Sequence, residues 1–189
     1  AQDVAARARS DGADRVWSVD KRPKPTLGRW RPTPPVNAVN PMEPLAGEWR
    51  PWVLEHGGAV EPPPPVPYNS RRFWQEVEEV KRVAEALTPA QKAIAEKWNL
   101  DVGTVTPPGH WNKIAQTTAH DRNQSLAANA RMFAHLDISL TDPGILCSVT
   151  TFTFDFWPPV SATHRADRGA RGLPLLATPH GPRSASGPV

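Results

Sequence analysis

Residues 70–98 read SRRFWQEVEEVKRVAEALTPAQKAIAEKW, and this stretch decides the fold class. Its apolar side chains recur three or four residues apart, with charged residues between them: Phe73, Val77, Val80, Ala84 and Leu87. This spacing places an apolar stripe along one face of an α-helix. Ser70 precedes the stripe and is a suitable N-cap. The pattern therefore predicts an amphipathic helix that packs through one face.

A second helix is predicted to begin at Thr88. Thr88 is a capping residue, Pro89 falls in the first turn, and Gln91 stands three residues after the cap. Together they form a capping box with proline at the first helical position. Ile94 and Trp98 are four residues apart and share a face of this helix.

Two further helices are predicted downstream. The loop 99–108 leads into a third helix, and a fourth runs from about residue 124 to residue 140. Pro143 should kink the fourth helix because proline cannot donate to the helical hydrogen-bond ladder. The apolar run 145–149 is compatible with renewed helix, whereas 150–154 alternates like a strand. An isolated strand after four helices is disfavoured, so the predicted class is all-α.

Proline sets the first third of the chain apart. Of the 23 prolines, 13 lie between residues 23 and 67, interleaved with Trp30, Trp49 and Trp52. Proline fixes φ and moves the preceding residue out of the α region, so this segment should be extended. It could be a linker or a ligand for proline-recognising domains. The tryptophans favour an ordered arm, since each has a large apolar surface to bury.

The predicted organisation has three parts. Residues 1–68 are a Pro/Trp-rich arm packed on the body, residues 69–160 form the helical body, and residues 161–189 form an irregular tail. The fold is thus expected to be a helical bundle preceded by an extended arm.

Charge and hydropathy narrow the function classes. The 189 residues carry a net charge of +3, and the basic residues are spread along the chain, which argues against nucleic-acid binding. No run of about 18 apolar residues occurs, so no membrane-spanning helix is expected. Cys147 lies among apolar neighbours and is predicted to be a buried thiol. A start at Ala1 is compatible with a mature periplasmic or secreted chain.

Several blocks carry a family resemblance through their shared order. Residues 103–115 read GTVTPPGHWNKIA, residues 154–160 read FDFWPPV, and residues 185–188 read ASGP. With the helical segment 129–136, they resemble the vanadium-dependent haloperoxidase and type 2 phosphatidic acid phosphatase superfamily. The proline- and tryptophan-rich arm resembles that of the bacterial haloperoxidase-like phosphatases.

The resemblance implies an all-α bundle around one oxyanion, which is vanadate in the peroxidases and a transferred phosphoryl group in the phosphatases. Such a group needs fixed cations and N–H donors around its oxygens. It also needs one histidine at its apex and a second histidine as acid and base. The superfamily supplies these from a Lys-x6-Arg-Pro motif, a Pro-Ser-Gly-His motif and a later Ser-Arg…His motif.

At the positions that match these motifs, this sequence differs from the superfamily. Thr151 stands where the lysine is expected, and Pro158 where the arginine is expected. Ser186 and Gly187 keep the serine and glycine of the second motif, whereas Pro188 replaces its histidine. The third motif has no counterpart. We therefore assign no catalytic residue and no metal ligand, and name Ser186 and Gly187 as weak anion-binding positions.

The missing charges predict a catalytically silent chain, a truncated or degenerate member of the superfamily. A hydrogen bond to a charged group contributes ~1.5–3 kcal/mol, so losing two cations costs roughly 3–6 kcal/mol. That is on the order of 10²–10⁴-fold in oxyanion affinity. No cofactor is assigned; vanadate or phosphate is implied by the resemblance alone, with weak binding. If active, the chain would be an acid phosphatase or a vanadium-dependent haloperoxidase.

Two alternatives stay open. His164 and His180 lie near the expected oxyanion pocket and could replace part of the lost positive charge. No pair of histidines has the spacing of a metal site. The alternative function is a non-catalytic interaction protein that binds a partner, such as a second copy of itself, through the arm or exposed helix faces.

Overall fold

A computed structural model describes residues 2–18, 20, 26–33, 37–101 and 103–163. Within this part, an isolated antiparallel bridge joins Arg29 to Phe156, and no residue lies in a strand. The predicted all-α class is confirmed. The α-helices are α1 (Gln2–Ala8), α2 (Arg71–Glu85), α3 (Pro89–Trp98), α4 (Thr106–Asp121) and α5 (Leu126–Phe154), and a 3₁₀ turn spans Ala46–Glu48.

Local capping explains where the helices begin. The Ser70 hydroxyl accepts a hydrogen bond from the Phe73 N–H at 3.2 Å, as the sequence predicts for α2. At α3, the Thr88 hydroxyl accepts from the Gln91 N–H at 3.3 Å, and Gln91 Oε1 accepts from the Thr88 N–H at 2.9 Å. This reciprocal pair is a capping box. The Ser125 hydroxyl accepts a hydrogen bond from the Ala128 N–H and so caps α5, as Ser70 caps α2.

The chain divides into two compact units. Unit 1 comprises Ala1–Trp30, Val39–Pro65 and Asn99–Phe156; unit 2 comprises Arg31–Ala38, Val66–Trp98 and Trp157–Val189. Unit 1 therefore contains α1, α4 and α5, and unit 2 contains α2 and α3. The predicted division into arm, body and tail stays a prediction.

The predicted end of the fourth helix near residue 140 is wrong. α5 is continuous from Leu126 to Phe154 with Pro143 inside it, and it includes the strand-like run 150–154. An internal proline costs about 3 kcal/mol. Asp142 and Ile145 are 5% and 2% exposed. Their burial offsets the cost of the proline, because a helix that continues through Pro143 keeps both side chains in the core.

α4 begins earlier than predicted. The predicted loop extends to residue 108, but the helix starts at Thr106 with both Pro107 and Pro108 in its first turn. Proline is tolerated there because the first N–H groups of a helix have no intrahelical partner. The prolines thus mark the start of α4 rather than the end of a loop.

Cys147 is exposed, which overturns the prediction of a buried thiol. On an α-helix a residue lies about 200° around the axis from the residue two positions before it. Ile145 faces the core, so Cys147 points to the opposite side. The apolar residues next to Cys147 in sequence do not imply that Cys147 is buried, because only one face of α5 is buried.

In unit 1, residues 47–57 lie directly against α5. A Cβ added to Gly57 would lie 2.7 Å from the Gly47 carbonyl oxygen and 2.8 Å from Val149 Cγ2, and one added to Gly47 would lie 2.9 Å from the Val149 nitrogen. These distances are too short for a side chain. Glycine at both positions lets residues 47–57 pack directly on α5.

Candidate functional site

Thr151, which stands at the expected lysine position, lies on the last turns of α5 in unit 1 with its side chain exposed. Its carbonyl accepts a hydrogen bond from the Asp155 N–H at 2.9 Å and so closes the helix. Asp155 follows with φ 45°, a left-handed conformation typical of a helix C-terminus. This position supplies a neutral hydroxyl to solvent and no charge.

Pro158, which stands at the expected arginine position, is half-buried in unit 2. Its carbonyl accepts from the Ser161 N–H at 2.9 Å, which starts the helical turn over residues 159–163. Proline has neither a backbone N–H nor a polar side chain to donate. It therefore cannot bind an anion through a hydrogen bond.

Vanadate does not fit the donors at these two positions. A multiply charged oxyanion needs cations or several N–H groups around its oxygens. Thr151 offers one uncharged hydroxyl and Pro158 offers no donor. Ser186, Gly187, Pro188, His164 and His180 lie outside the described residues, so their proposed roles stay predictions.

Trp157, next to Pro158, anchors unit 2. Its side chain is 2% exposed, and its ring centroid lies 5.2 Å from that of Tyr68 and 6.1 Å from that of Phe73. The Arg31 guanidinium lies 5.4 Å from its ring centroid. These contacts attach residues 157–163 to the first turn of α2. The family-like segment therefore contributes an aromatic anchor next to Pro158, the position where the superfamily pattern expects an arginine.

Two polar groups in this segment are buried without a hydrogen-bond partner among the described residues. They are the Trp157 indole N–H and the Ser161 hydroxyl. A buried donor without a partner costs about 1–3 kcal/mol. Packing of the indole ring therefore has to outweigh this cost.

Asp142 of unit 1 has a buried carboxylate, and its contacts with the loop 52–54 are not predicted from the sequence. Its Oδ1 accepts from the Trp52 N–H at 2.7 Å, and its Oδ2 accepts from the Val53 and Leu54 N–H groups at 2.7 and 3.0 Å. Three consecutive N–H groups thus converge on one carboxylate. Asp137 on the same helix is also acidic but exposed, so no local sequence signal distinguishes the buried carboxylate from the solvated one.

The pKa of Asp142 reflects opposing effects. Burial of the carboxyl acts to raise the pKa, while the N–H groups of Trp52, Leu54 and Val53 and the positive charge of Arg7 lower it. The hydrogen bonds prevail, so the pKa lies below the ordinary value of 3.8. Asp142 is therefore a stable anion that fixes the loop 52–54.

Arg7 of α1 contacts the same loop. Its Nη2 donates to the carbonyls of Arg50, at 3.0 Å, and Pro51. Its guanidinium lies 4.1 Å from the centroid of the Trp52 ring. The positive arginine and the negative Asp142 thus both act on residues 50–54.

The described histidines do not form a site. His56, His120 and His135 are exposed, and His110 is half-buried. Among the described residues, no three His, Cys, Asp or Glu side chains lie close enough together to hold a metal ion. None of the described helices has both the length and the apolar character needed to cross a membrane.

Comparison with known proteins points to one superfamily. Vanadium chloroperoxidase from Curvularia inaequalis is 30% identical over 102 residues, covering 48% of this chain and 17% of that protein. The crystal structure of the first bacterial vanadium-dependent iodoperoxidase matches with a TM-score of 0.68 and 26% identity. The match covers 77% of this chain and 38% of the iodoperoxidase chain. No family model matches.

Proposed function

We propose that the chain, which is similar to members of the vanadium haloperoxidase-like superfamily, provides the helical scaffold of that fold without its oxyanion chemistry. The chain spans 17% of the curated relative and 38% of the solved structure, so this proposal concerns the present chain alone. The observation that carries it is the pair Thr151 and Pro158. Neither residue can supply the positive charge that the matched motif positions require.

Weak oxyanion binding and a missing histidine both favour a chain without catalytic activity. Two missing charge-assisted hydrogen bonds weaken oxyanion binding by on the order of 10²–10⁴-fold. Chemistry in this superfamily also needs two histidines, and the sequence places Pro188 where the second motif supplies a histidine. Without that histidine, the site loses a group that could move a proton during the reaction.

We expect the purified chain to show no phosphatase and no haloperoxidase activity. Hydrolysis of p-nitrophenyl phosphate and vanadate-dependent oxidation of iodide should both equal the rate in buffer, because the described motif positions lack cations. The ⁵¹V NMR line of free vanadate should stay sharp when the chain is added.

An intact superfamily haloperoxidase, assayed under the same conditions, is the positive control. Turnover above buffer in the absence of divalent metal would contradict the proposal. So would saturable broadening of the vanadate line, since that would place a competent oxyanion site on this chain.

One observation favours the alternative, a helical interaction protein that associates with a second copy. α3 buries no side chain, and its apolar residues Ile94 and Trp98 are 59% and 50% exposed. They lie four residues apart and so on one helical face. An apolar face of this kind suits helix-to-helix association.

Substituting Ile94→Glu should then weaken self-association by about tenfold or more, because a charge on this face must be desolvated in the interface. Sedimentation velocity over a range of concentrations measures the effect. Leu126→Glu is the matched control, since Leu126 is 87% exposed on α5, outside α3. A monomer at every concentration would rule out this function.

A further inference from the structure

Residues 59–65 of unit 1 read AVEPPPP and form an exposed segment, called the proline segment below. Gly57, just before it, is buried against α5, whereas every residue from Ala59 to Pro64 is exposed. The proline segment lies outside the helices and outside the bridge between Arg29 and Phe156. It therefore presents a continuous surface that the packing of unit 1 does not use.

The conformation of the proline segment follows from its composition. Proline fixes φ at about −65° and moves the residue before it into the extended region. Glu61, Pro62, Pro63 and Pro64 each precede a proline, so this restriction applies along the whole run. Such dihedral angles are those of a polyproline II helix, which has no internal hydrogen bonds. The segment thus has, before binding, the conformation that proline-recognising domains bind.

The polar groups of this segment have no partner in the described part of the chain. No hydrogen bond or ion pair there involves residues 60–66. The prolines have no N–H group, so their carbonyl oxygens are the groups that a partner can bond. The tryptophan indole and the tyrosine hydroxyl are donors attached to flat apolar rings. A groove lined with these side chains suits both the carbonyls and the proline rings.

The side chains of the proline segment fall on three edges, because a polyproline II helix has about three residues per turn. Val60 and Pro63 share one edge, and both are exposed. Glu61 and Pro64 share the next edge, and both are exposed as well. The third edge ends at Pro65, which is half-buried. Two adjacent edges are therefore open to a partner, one apolar and the other with a single carboxylate.

Charge narrows the class of partner. Residues 53–70 contain Glu55 and Glu61 but neither lysine nor arginine, so their formal charge is −2 with His56 neutral. Both glutamates are exposed. A groove with an acidic rim would be repelled by these carboxylates, whereas a basic side chain on the rim would be attracted to Glu61.

We propose that the proline segment is the docking site for a partner protein whose groove is lined with aromatic rings and has a basic rim. The rings pack on Val60, Pro63 and Pro64, their N–H and O–H groups donate to the carbonyls, and the basic rim pairs with Glu61. The proposal uses neither Thr151 nor Pro158 and is independent of the proposed function. It also differs from self-association through α3, because the two surfaces share no residue.

Isothermal titration of the full chain with two purified probe domains tests the proposal. One probe is an EVH1 domain whose groove has a basic rim, and the other is an SH3 domain whose groove has an acidic rim. Both kinds of groove are lined with aromatic side chains. We expect the EVH1 domain to bind saturably below about 1 mM and at least about fivefold more tightly than the SH3 domain. The difference should shrink at high salt, because the rim pair is exposed.

Substitutions with matched controls locate the binding. Pro63→Ala combined with Pro64→Ala removes two rings and loosens the backbone, so binding of the EVH1 domain should weaken by about fivefold or more. Pro89→Ala removes an exposed proline from the first turn of α3 and should leave binding unchanged. Glu61→Lys should abolish the preference for the basic rim. Glu85→Lys makes the same change of net charge on α2 and should keep that preference.

Four results would overturn the assignment. The first is no saturable binding of the EVH1 domain at millimolar concentration. The second is binding of the SH3 domain that is as tight as that of the EVH1 domain. The third is unchanged affinity for the EVH1 domain in the double proline variant, since the groove would then contact another surface. The fourth is self-association of the unaltered chain that the double variant abolishes in sedimentation velocity, since a second copy would then occupy the segment.

Discussion

Replacing Trp157 with alanine should lower the free energy of unfolding of unit 2 by about 3–5 kcal/mol, the usual cost of deleting a buried tryptophan. The side chain is 2% exposed and contacts the rings of Tyr68 and Phe73. Without it, the first turn of α2 loses its packing partner. Residues 157–163 lose their attachment to α2 at the same time.

Hydrogen exchange of α2 amides measures the effect where it arises. A loss of about 3–5 kcal/mol should raise exchange from unit 2 by on the order of 10²–10³-fold or more, if exchange requires opening of the unit. Trp157→Phe should cost much less, because it keeps an aromatic ring and removes the indole N–H that is buried without a partner among the described residues.

Trp98→Ala is the matched control, because it deletes the same side chain from a half-exposed position of the same unit. Its effect should stay within about 0.5 kcal/mol. Equal exchange in Trp157→Ala and Trp98→Ala would show that the aromatic cluster does not stabilise α2.

The helices were predictable where their signals are local. The Ser70 cap and the Thr88–Gln91 capping box lie within four residues of the helix starts they define, and both are present in the structure. Periodicity placed Phe73 and Val77 on one face and both are buried, whereas Val80 of the same predicted stripe is 45% exposed. Such features need no knowledge of distant residues.

The failures have a common physical cause, which is that their energies come from contacts distant in sequence. Pro143 alone argues for a break, but Asp142 hydrogen-bonds to residues 52–54, about 90 positions away, and this favours an unbroken α5. Cys147 is exposed because the close approach of Gly47 and Gly57 fixes which face of α5 is buried. No local sequence pattern predicts the contacts of Asp142 with residues 52–54 or those of Gly47 and Gly57 with α5.

Candidate sites were less predictable than the fold. Comparison with the superfamily motifs identifies Thr151 and Pro158 at the expected lysine and arginine positions. These substitutions argue against strong oxyanion binding by this chain. The role of the buried Asp142 carboxylate is not predictable from the local sequence, since it depends on residues 52–54 packing against α5. A family resemblance predicts the fold, whereas the contacts of Asp142 depend on side chains particular to this protein.

Replacing Asp142 with alanine should lower the free energy of unfolding of unit 1 by about 2–4 kcal/mol. The three N–H groups of Trp52, Val53 and Leu54 would lose a charged acceptor, and each such hydrogen bond contributes ~1.5–3 kcal/mol when taken alone. The sum is smaller than three separate bonds because residues 52 and 53 can turn towards water. Urea unfolding followed by circular dichroism measures the change.

Asp142→Asn and Asp137→Asn form a matched pair on the same helix. In Asp142→Asn the new amide would keep one acceptor oxygen and present an N–H₂ group to N–H donors, so this variant should cost about 2 kcal/mol. Asp137 is exposed and accepts from Asn112 Nδ2 at 2.8 Å, a bond that an asparagine side chain can keep. Equal stability of the two variants would refute the role assigned to Asp142.

The contribution of Asp142 should also depend on pH in one direction. Its pKa is lowered in the folded chain, so the unfolded chain binds the proton more readily and the stabilisation is complete above the ordinary value of 3.8. As the pH falls below about 4 towards the folded pKa, the stabilisation is lost. The stability difference between the unaltered chain and Asp142→Asn should therefore shrink between about pH 4 and pH 2. A difference that stays constant over this range would mean that the carboxylate charge does not hold the 52–54 loop, because an uncharged acceptor would then serve equally well.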